Sequence, residues 1–187
     1  MRYSVETISR DFTPAEAATV TGVSTTLQRD WRRRGVIESK ADGTWTRWRL
    51  EDIIRLAVMK LLSDAGVDVS STKIIAHMAI LPTLVAMEEI DGAVVFEGDE
   101  IPDLSRERIR AAAANDAGPA AYGRFLVCGG SNELDVTRVP NLAAMDDLAD
   151  EEPRAISFVI DCWFLASLIV DRAGGPVIRR KVEITAE

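Results

Sequence analysis

Cysteine and histidine are almost missing from this chain: its 187 residues contain two of the first and one of the second. Cys128 and Cys162 stand at no metal-like spacing and form no disulfide framework, so a reducing cytoplasm is the expected compartment. His77 has no Cys, Asp or Glu at ligand spacing, which makes it a packing or helix-surface residue rather than a metal ligand or catalytic base. No cofactor is expected. Long apolar runs are also missing: the longest, Ala155 to Val170, has about 16 residues, contains Asp161 and is too short to span a bilayer. The N-terminus lacks the charged start and apolar core of a signal sequence, and no internal repeat stands out. What remains, 47% hydrophobic and 28% charged residues, suits a soluble globular protein of one medium or two small domains.

Basic residues are outnumbered overall, 22 Lys and Arg against 30 Asp and Glu, for a net charge of −8. Their distribution is uneven. Residues 1–81 carry 12 basic and 10 acidic side chains, whereas residues 82–187 carry 10 and 20. The first part can meet a polyanion that the second would repel. Within it, positions 29, 32, 33, 34, 40, 47 and 49 hold Lys or Arg against acids at 30, 38 and 42 only. A basic patch inside an acidic chain is an electrostatic footprint of nucleic-acid binding.

The residues around that patch predict how it is presented. Thr13 and Glu16 stand in the capping-box relation, and Pro14 takes the position whose missing N–H is harmless, so a helix starts here. Gly22 can turn the chain, and Ser24 caps a second helix. On that helix Leu27 and Trp31 share one face; Thr25, Arg29, Arg32 and Arg33 point the other way, with Thr26 beside them. Gly35 stops the helix. Val36-Ile37 and Trp45 to Trp48 then predict two short strands joined across Ser39 to Gly43, where Asp42-Gly43 is a hairpin signal. A charged run can be no more than solvated helix surface, but caps, turn, periodicity and wing all agree here on a winged helix-turn-helix. Threonine, glutamine and arginine can bond base edges, and arginine and lysine hold phosphates. Thr25, Gln28, Arg29 and Arg32 are therefore the candidate base readers, and Arg33, Lys40 and Arg49 the phosphate contacts. Thr13, Ser24, Thr26 and Arg47 complete the expected DNA-binding set.

The same residues resemble the DNA-binding domain of the MerR family of bacterial transcriptional regulators. That family has a Gly-Val-Ser turn, a helix with a run like Leu-Arg-Tyr-Tyr, then Arg-x-Gly-Leu, and a wing ending in Arg-Tyr. Here Gly22-Val23-Ser24 matches the turn, Arg29 the arginine, Trp31 the second tyrosine, Gly35-Val36 the Gly-Leu and Arg47-Trp48 the wing. The leucine is replaced by Gln28 and the first tyrosine by Asp30, an acid that must face the protein or pair with an arginine. The resemblance extends over roughly residues 11 to 81 and implies a homodimeric regulator on two-fold-related double-stranded DNA. It further implies wings and reader helices that bend or untwist a promoter, with RNA polymerase as a further partner there. An excisionase-like architectural protein is the alternative, disfavoured by the hundred or so residues that follow.

After the reader, Glu51 to Ala65 predicts an amphipathic helix with Ile54, Val58, Leu61 and Leu62 inward and Gly66 as its stop. A further helix runs from Ser70 or Ser71 to just before Pro82, with Ile74, Ile75, Met78 and Leu81 inward. The long dimerisation helix usual in the family is not signalled, since Asp91-Gly92 ends a segment of two turns. The expected organisation is α+β: a MerR-like winged helix-turn-helix domain at 1–81 and a small mixed α/β dimerisation or effector domain at 82–187. In the latter, Ala93 to Glu97, Phe125 to Cys128 and Leu134 to Val139 predict strands, and Ser105 to Asn115 and Asn141 to Ala149 helices. Ile156 to Ile160 reads as a strand before a helix at Cys162 to Ala173, with one continuous helix from Ala155 as the alternative. Val177 to Ile184 reads as an edge strand or a tail.

No catalytic constellation is visible in this half, so an enzyme is not expected, while a small-molecule effector stays open. Gly129-Gly130-Ser131 reads as a turn rather than an anion nest, and Cys128 as a buried strand cysteine. Asp146, Asp147, Asp150, Glu151 and Glu152 read as a solvated face rather than a cation site. Trp163, Phe164, Leu165 and Leu168 are expected in a core or a subunit interface.

Overall fold

The computed structural model describes residues 2–38, 47–116, 123–129, 135–151 and 157–185. Strand β1 (Arg2–Ser9) leads into α1 (Pro14–Thr21), α2 (Thr25–Arg33), α3 (Leu50–Asp64), α4 (Thr72–Met78) and α5 (Ile80–Met87). There follow β2 (Val94–Gly98), α6 (Asp103–Asp116), β3 (Phe125–Gly129), β4 (Asp135–Val139), α7 (Ala144–Glu151), β5 (Ser157–Asp161), α8 (Cys162–Ala173) and β6 (Ile178–Thr185). The fold is α+β: strand β1 and the helices α1 to α5 are followed by a part that carries the other described strands.

Two three-stranded sheets organise the chain. One has the order β1-β6-β2, with β1 antiparallel and β2 parallel to β6; the other has the order β4-β3-β5, antiparallel throughout. Residues 177–184 were expected at an edge or in a tail, but β6 lies in the middle of its sheet. Its alternation explains the difference: Arg180 and Val182 turn inward while Arg179 and Lys181 stay exposed. Arg180 is buried because Glu88, at the end of α5, meets its guanidinium as an ion pair.

Helix α8 is the post that joins this sheet to the reader. Asp161 caps it by accepting from the N–H groups of Trp163 and Phe164, at 3.0 and 3.1 Å, so the apolar block resolves as strand then helix. Leu165, Ala166, Ile169 and Val170 are its buried side chains, and α1 and α5 pack against it. Trp163 and Phe164, grouped with them by sequence, stay exposed on the first turn. Arg10 donates to the Ala173 carbonyl at 2.9 Å and Arg172 to the Val20 carbonyl at 3.2 Å, tying the reader to the far end of the helix. One buried apolar cluster contains Trp31 and Ile54 as well as Ile169 and Ile178.

Several boundaries and faces differ from those predicted. The helix expected to stop before Pro82 breaks at Ala79, and Pro82 lies inside the first turn of α5, where its missing N–H breaks no helical bond. The break changes which residues turn inward: Ile75 and Ala76 are buried, whereas Ile74 and Leu81 are exposed. On α3, Ile54, Val58 and Leu62 are buried but Leu61 is exposed.

Candidate nucleic-acid interface

The reader begins at a bridge between Phe12 and Trp48, whose backbone N–H and C=O groups exchange two bonds of 2.8 Å. Thr13 then caps α1. Its N–H and hydroxyl both donate to Glu16, each at 2.8 Å, and its hydroxyl accepts from the Glu16 N–H at 3.3 Å. These bonds, with one from Arg10, pull the Glu16 carboxyl down to about 2. Gly22 turns the chain at φ 75°, a left-handed conformation that favours glycine. The Ser24 hydroxyl accepts from the Leu27 N–H at 3.2 Å and starts α2.

Helix α2 has two unlike faces. Trp31 is 2% exposed and Gln28 1%. Thr26, Arg29 and Arg33 are exposed, and Thr25 is half-buried. Arg29 makes no ion pair or hydrogen bond among the described residues. Asp30 is neutralised on its own helix: Arg33 and Arg34 donate to its two oxygens at 2.6 and 3.4 Å, and Arg33 foremost holds its carboxyl below the ordinary range. The acid therefore does not stand bare against a phosphate. Gly35, at φ 68°, ends the helix, and the Val36 N–H returns to the Trp31 carbonyl at 2.8 Å.

Gln28 departs from expectation. Its amide nitrogen donates to the carbonyls of Pro14 and Val23, both at 2.9 Å, and its oxygen accepts from the Trp48 indole N–H at 3.1 Å. It locks α1, the turn and the root of the wing to α2, and cannot reach a base. The signal was legible: Gln28 stands three residues before Trp31, hence on the packing face. Arg32 also differs. Its guanidinium lies 4.4 Å from the centre of the Trp48 ring, half-buried, and desolvation pulls its pKa below the ordinary arginine value. Thr13 and Ser24 keep their hydroxyls on helix caps.

The wing lies largely outside the described residues, Lys40 with it. Val36 and Ile37, expected as its first strand, form a bend, because the return to Trp31 takes the Val36 N–H. Arg47 and Arg49 are exposed at its base. The Arg49 N–H donates to Asp52 at 3.2 Å, and Asp52 also accepts from Arg55 at 3.2 Å. Elsewhere, Cys128 and Cys162 are buried, and burial pushes the Cys162 thiol up to about 12. Among the described residues, no helix is long and apolar enough to cross a membrane.

A comparison with known families matches residues 12–78 to the model described as MerR HTH family regulatory protein, just over a third of the chain. The matched segment opens at Phe12, in the bridge to Trp48, and closes at Met78, the last residue of α4. No curated protein matches the chain. The N-terminal part of this protein is a helix-turn-helix domain of the MerR family of regulators.

Proposed function

We propose that the protein is a sequence-specific transcriptional regulator that binds double-stranded promoter DNA as a homodimer, in the cytoplasm of a bacterium, and acts by binding rather than by catalysis. In this reading residues 1–81 read DNA and residues 82–187 serve dimerisation or effector response, two roles supported by one shared core. RNA polymerase is the partner at the promoter.

The observation that carries the reading is the division of α2, whose Gln28 and Trp31 are locked inward while Thr25, Thr26, Arg29 and Arg33 remain outward. A helix fixed on one side and open on the other can lie in a major groove, its arginines on guanine edges or phosphates. Gln28, bonded inward, and Arg32, stacked on Trp48, leave the base-reading set; Thr25 and Arg29 carry it, with Thr26 beside them. Arg33, Lys40, Arg47 and Arg49 supply phosphate attraction, which makes affinity fall with salt.

Genome-wide mapping of bound fragments, followed by anisotropy titration of the recovered site, tests this. The expected result is a two-fold-symmetric site within promoters, bound by two copies with a steep salt dependence. Clustered direct repeats outside promoters, or equal affinity for recovered and random duplexes, would overturn it.

A further inference from the structure

Between the C-terminal turn of α2, α3 and α4 lies a cavity of about 660 Å³, well within the range of small-molecule sites, roughly 300–1,000 Å³. Its walls are largely apolar: Val36, Leu56, Met59 and Ala76 line it together with the Trp48 ring. Such a lining favours an apolar body. The charged groups at its rim decide what else the occupant carries.

Arg32, Arg55 and Lys73 line the cavity against Glu38 and Asp52, an excess of positive charge. Asp52 is already engaged by Arg55 and by the Arg49 N–H, so these groups largely cancel. Lys73 donates to the Gly35 carbonyl at 2.9 Å, which uses one of the three donors of an ammonium. Arg32 is the outlier. Its guanidinium stacks on Trp48, yet its Nη2 is buried with no hydrogen-bond partner among the described residues. A buried cationic donor left unpaired is costly, and an anion that reaches it relieves that cost. Arg32 lines the cavity beside Lys73, so an anion seated there meets Nη2 once the guanidinium turns toward it.

We propose that this cavity binds a small organic carboxylate with an apolar or aromatic body, its carboxylate held between Arg32 and Lys73 and its body against Met59, Leu56 and Trp48. The occupant touches Trp48, which Gln28 bonds to α2, and touches Arg32 on α2 itself. Binding therefore shifts the reader helix against the base of the wing and changes DNA affinity. That consequence rests on the DNA-reading role proposed above; the binding itself does not.

The test uses the full chain and two fluorinated probes, 4-(trifluoromethyl)phenylacetate and its uncharged primary amide, followed by ¹⁹F NMR titration without DNA. Wild type is expected to bind the carboxylate at least about tenfold more tightly than the amide, the scale of a charged hydrogen bond. Arg32→Gln and Lys73→Gln, each checked by thermal melt, are expected to shrink that preference while leaving amide binding in place. Lys73 is exposed, so its variant decides the matter if Arg32→Gln does not fold. Equal binding of the two probes, binding of neither, or an unchanged preference in the folded variants would overturn the site. Anisotropy of the recovered DNA site with and without saturating carboxylate then reads the consequence: an unchanged affinity removes the regulatory role. Absence of DNA binding in both conditions counts against the function proposed above and leaves the probe result standing.

Discussion

Arginine is used in opposite ways in the two parts of the molecule. In the strand-containing part Arg180 is buried against Glu88, and the half-buried Arg138 donates to the Met78 carbonyl. On the reader helix, Arg29 stands exposed without a partner among the described residues, and Arg33 is mostly exposed with only Asp30 to hold it. A buried charge must be matched or it destabilises the fold, whereas an exposed ion pair is worth little. The first group therefore builds structure, and the second is available for a ligand.

Four experiments can break or sharpen that contrast. The largest effect belongs to the buried pair: Glu88→Ala strands Arg180 and should cost about 3–5 kcal/mol in urea denaturation. The double variant Glu88→Leu with Arg180→Met should recover most of that loss, since burial raises the Glu88 carboxyl even beside its arginine. If the single and double variants are equally unstable, the pair is not the element at fault. Next comes Gln28→Leu, which leaves the Trp48 indole N–H without its partner, removes one bond from each of the Pro14 and Val23 carbonyls, and should cost roughly 2–3 kcal/mol of stability. An unchanged melt would show that the amide is not a lock.

Arg29→Ala should do the reverse. Stability is expected to change by no more than about 0.5 kcal/mol. DNA affinity should fall by about 1–3 kcal/mol if Arg29 holds a base bidentately, with discrimination lost at one position of the site. Equal affinity of variant and wild type at fixed salt would remove it from the interface. The smallest effect concerns Glu16, whose carboxyl is pulled from 4.5 to about 2 in the folded chain. A depressed carboxyl adds stability above its unfolded value and loses it as the pH falls toward the folded one. Wild type should therefore lose stability between about pH 4.5 and pH 2 more steeply than Glu16→Gln, by under about 1 kcal/mol because the carboxyl is partly exposed. Parallel pH profiles would show that the capping box contributes nothing.

Local signals were the legible ones. Thr13, Pro14, Glu16, Gly22 and Ser24 fixed the start of both reader helices, because a cap is a bond between residues three apart in sequence. The pairing of Asp30 with arginines of its own helix was readable for the same reason. Gln28 was misassigned although its spacing from Trp31 placed it inward, because its partners Pro14 and Trp48 lie 14 and 20 residues away. Distance in sequence also hid the central position of β6, whose partners Glu88 and β1 come from far upstream. Charge alone could not say that Arg32 would lie over Trp48 while Arg29 stood clear.

The pairing of β1 with β6 fixes the order in which the molecule can be finished on the ribosome. Strand β1 emerges early and finds its antiparallel neighbour only when residues 178–185 have been synthesised, and α1 waits almost as long for α8. Contacts of such long sequence separation form late. A half-made chain therefore lacks both the strand that β1 pairs with and the helix that α1 packs on, and the N-terminal helices gain their full footing only once α8 and β6 are in place.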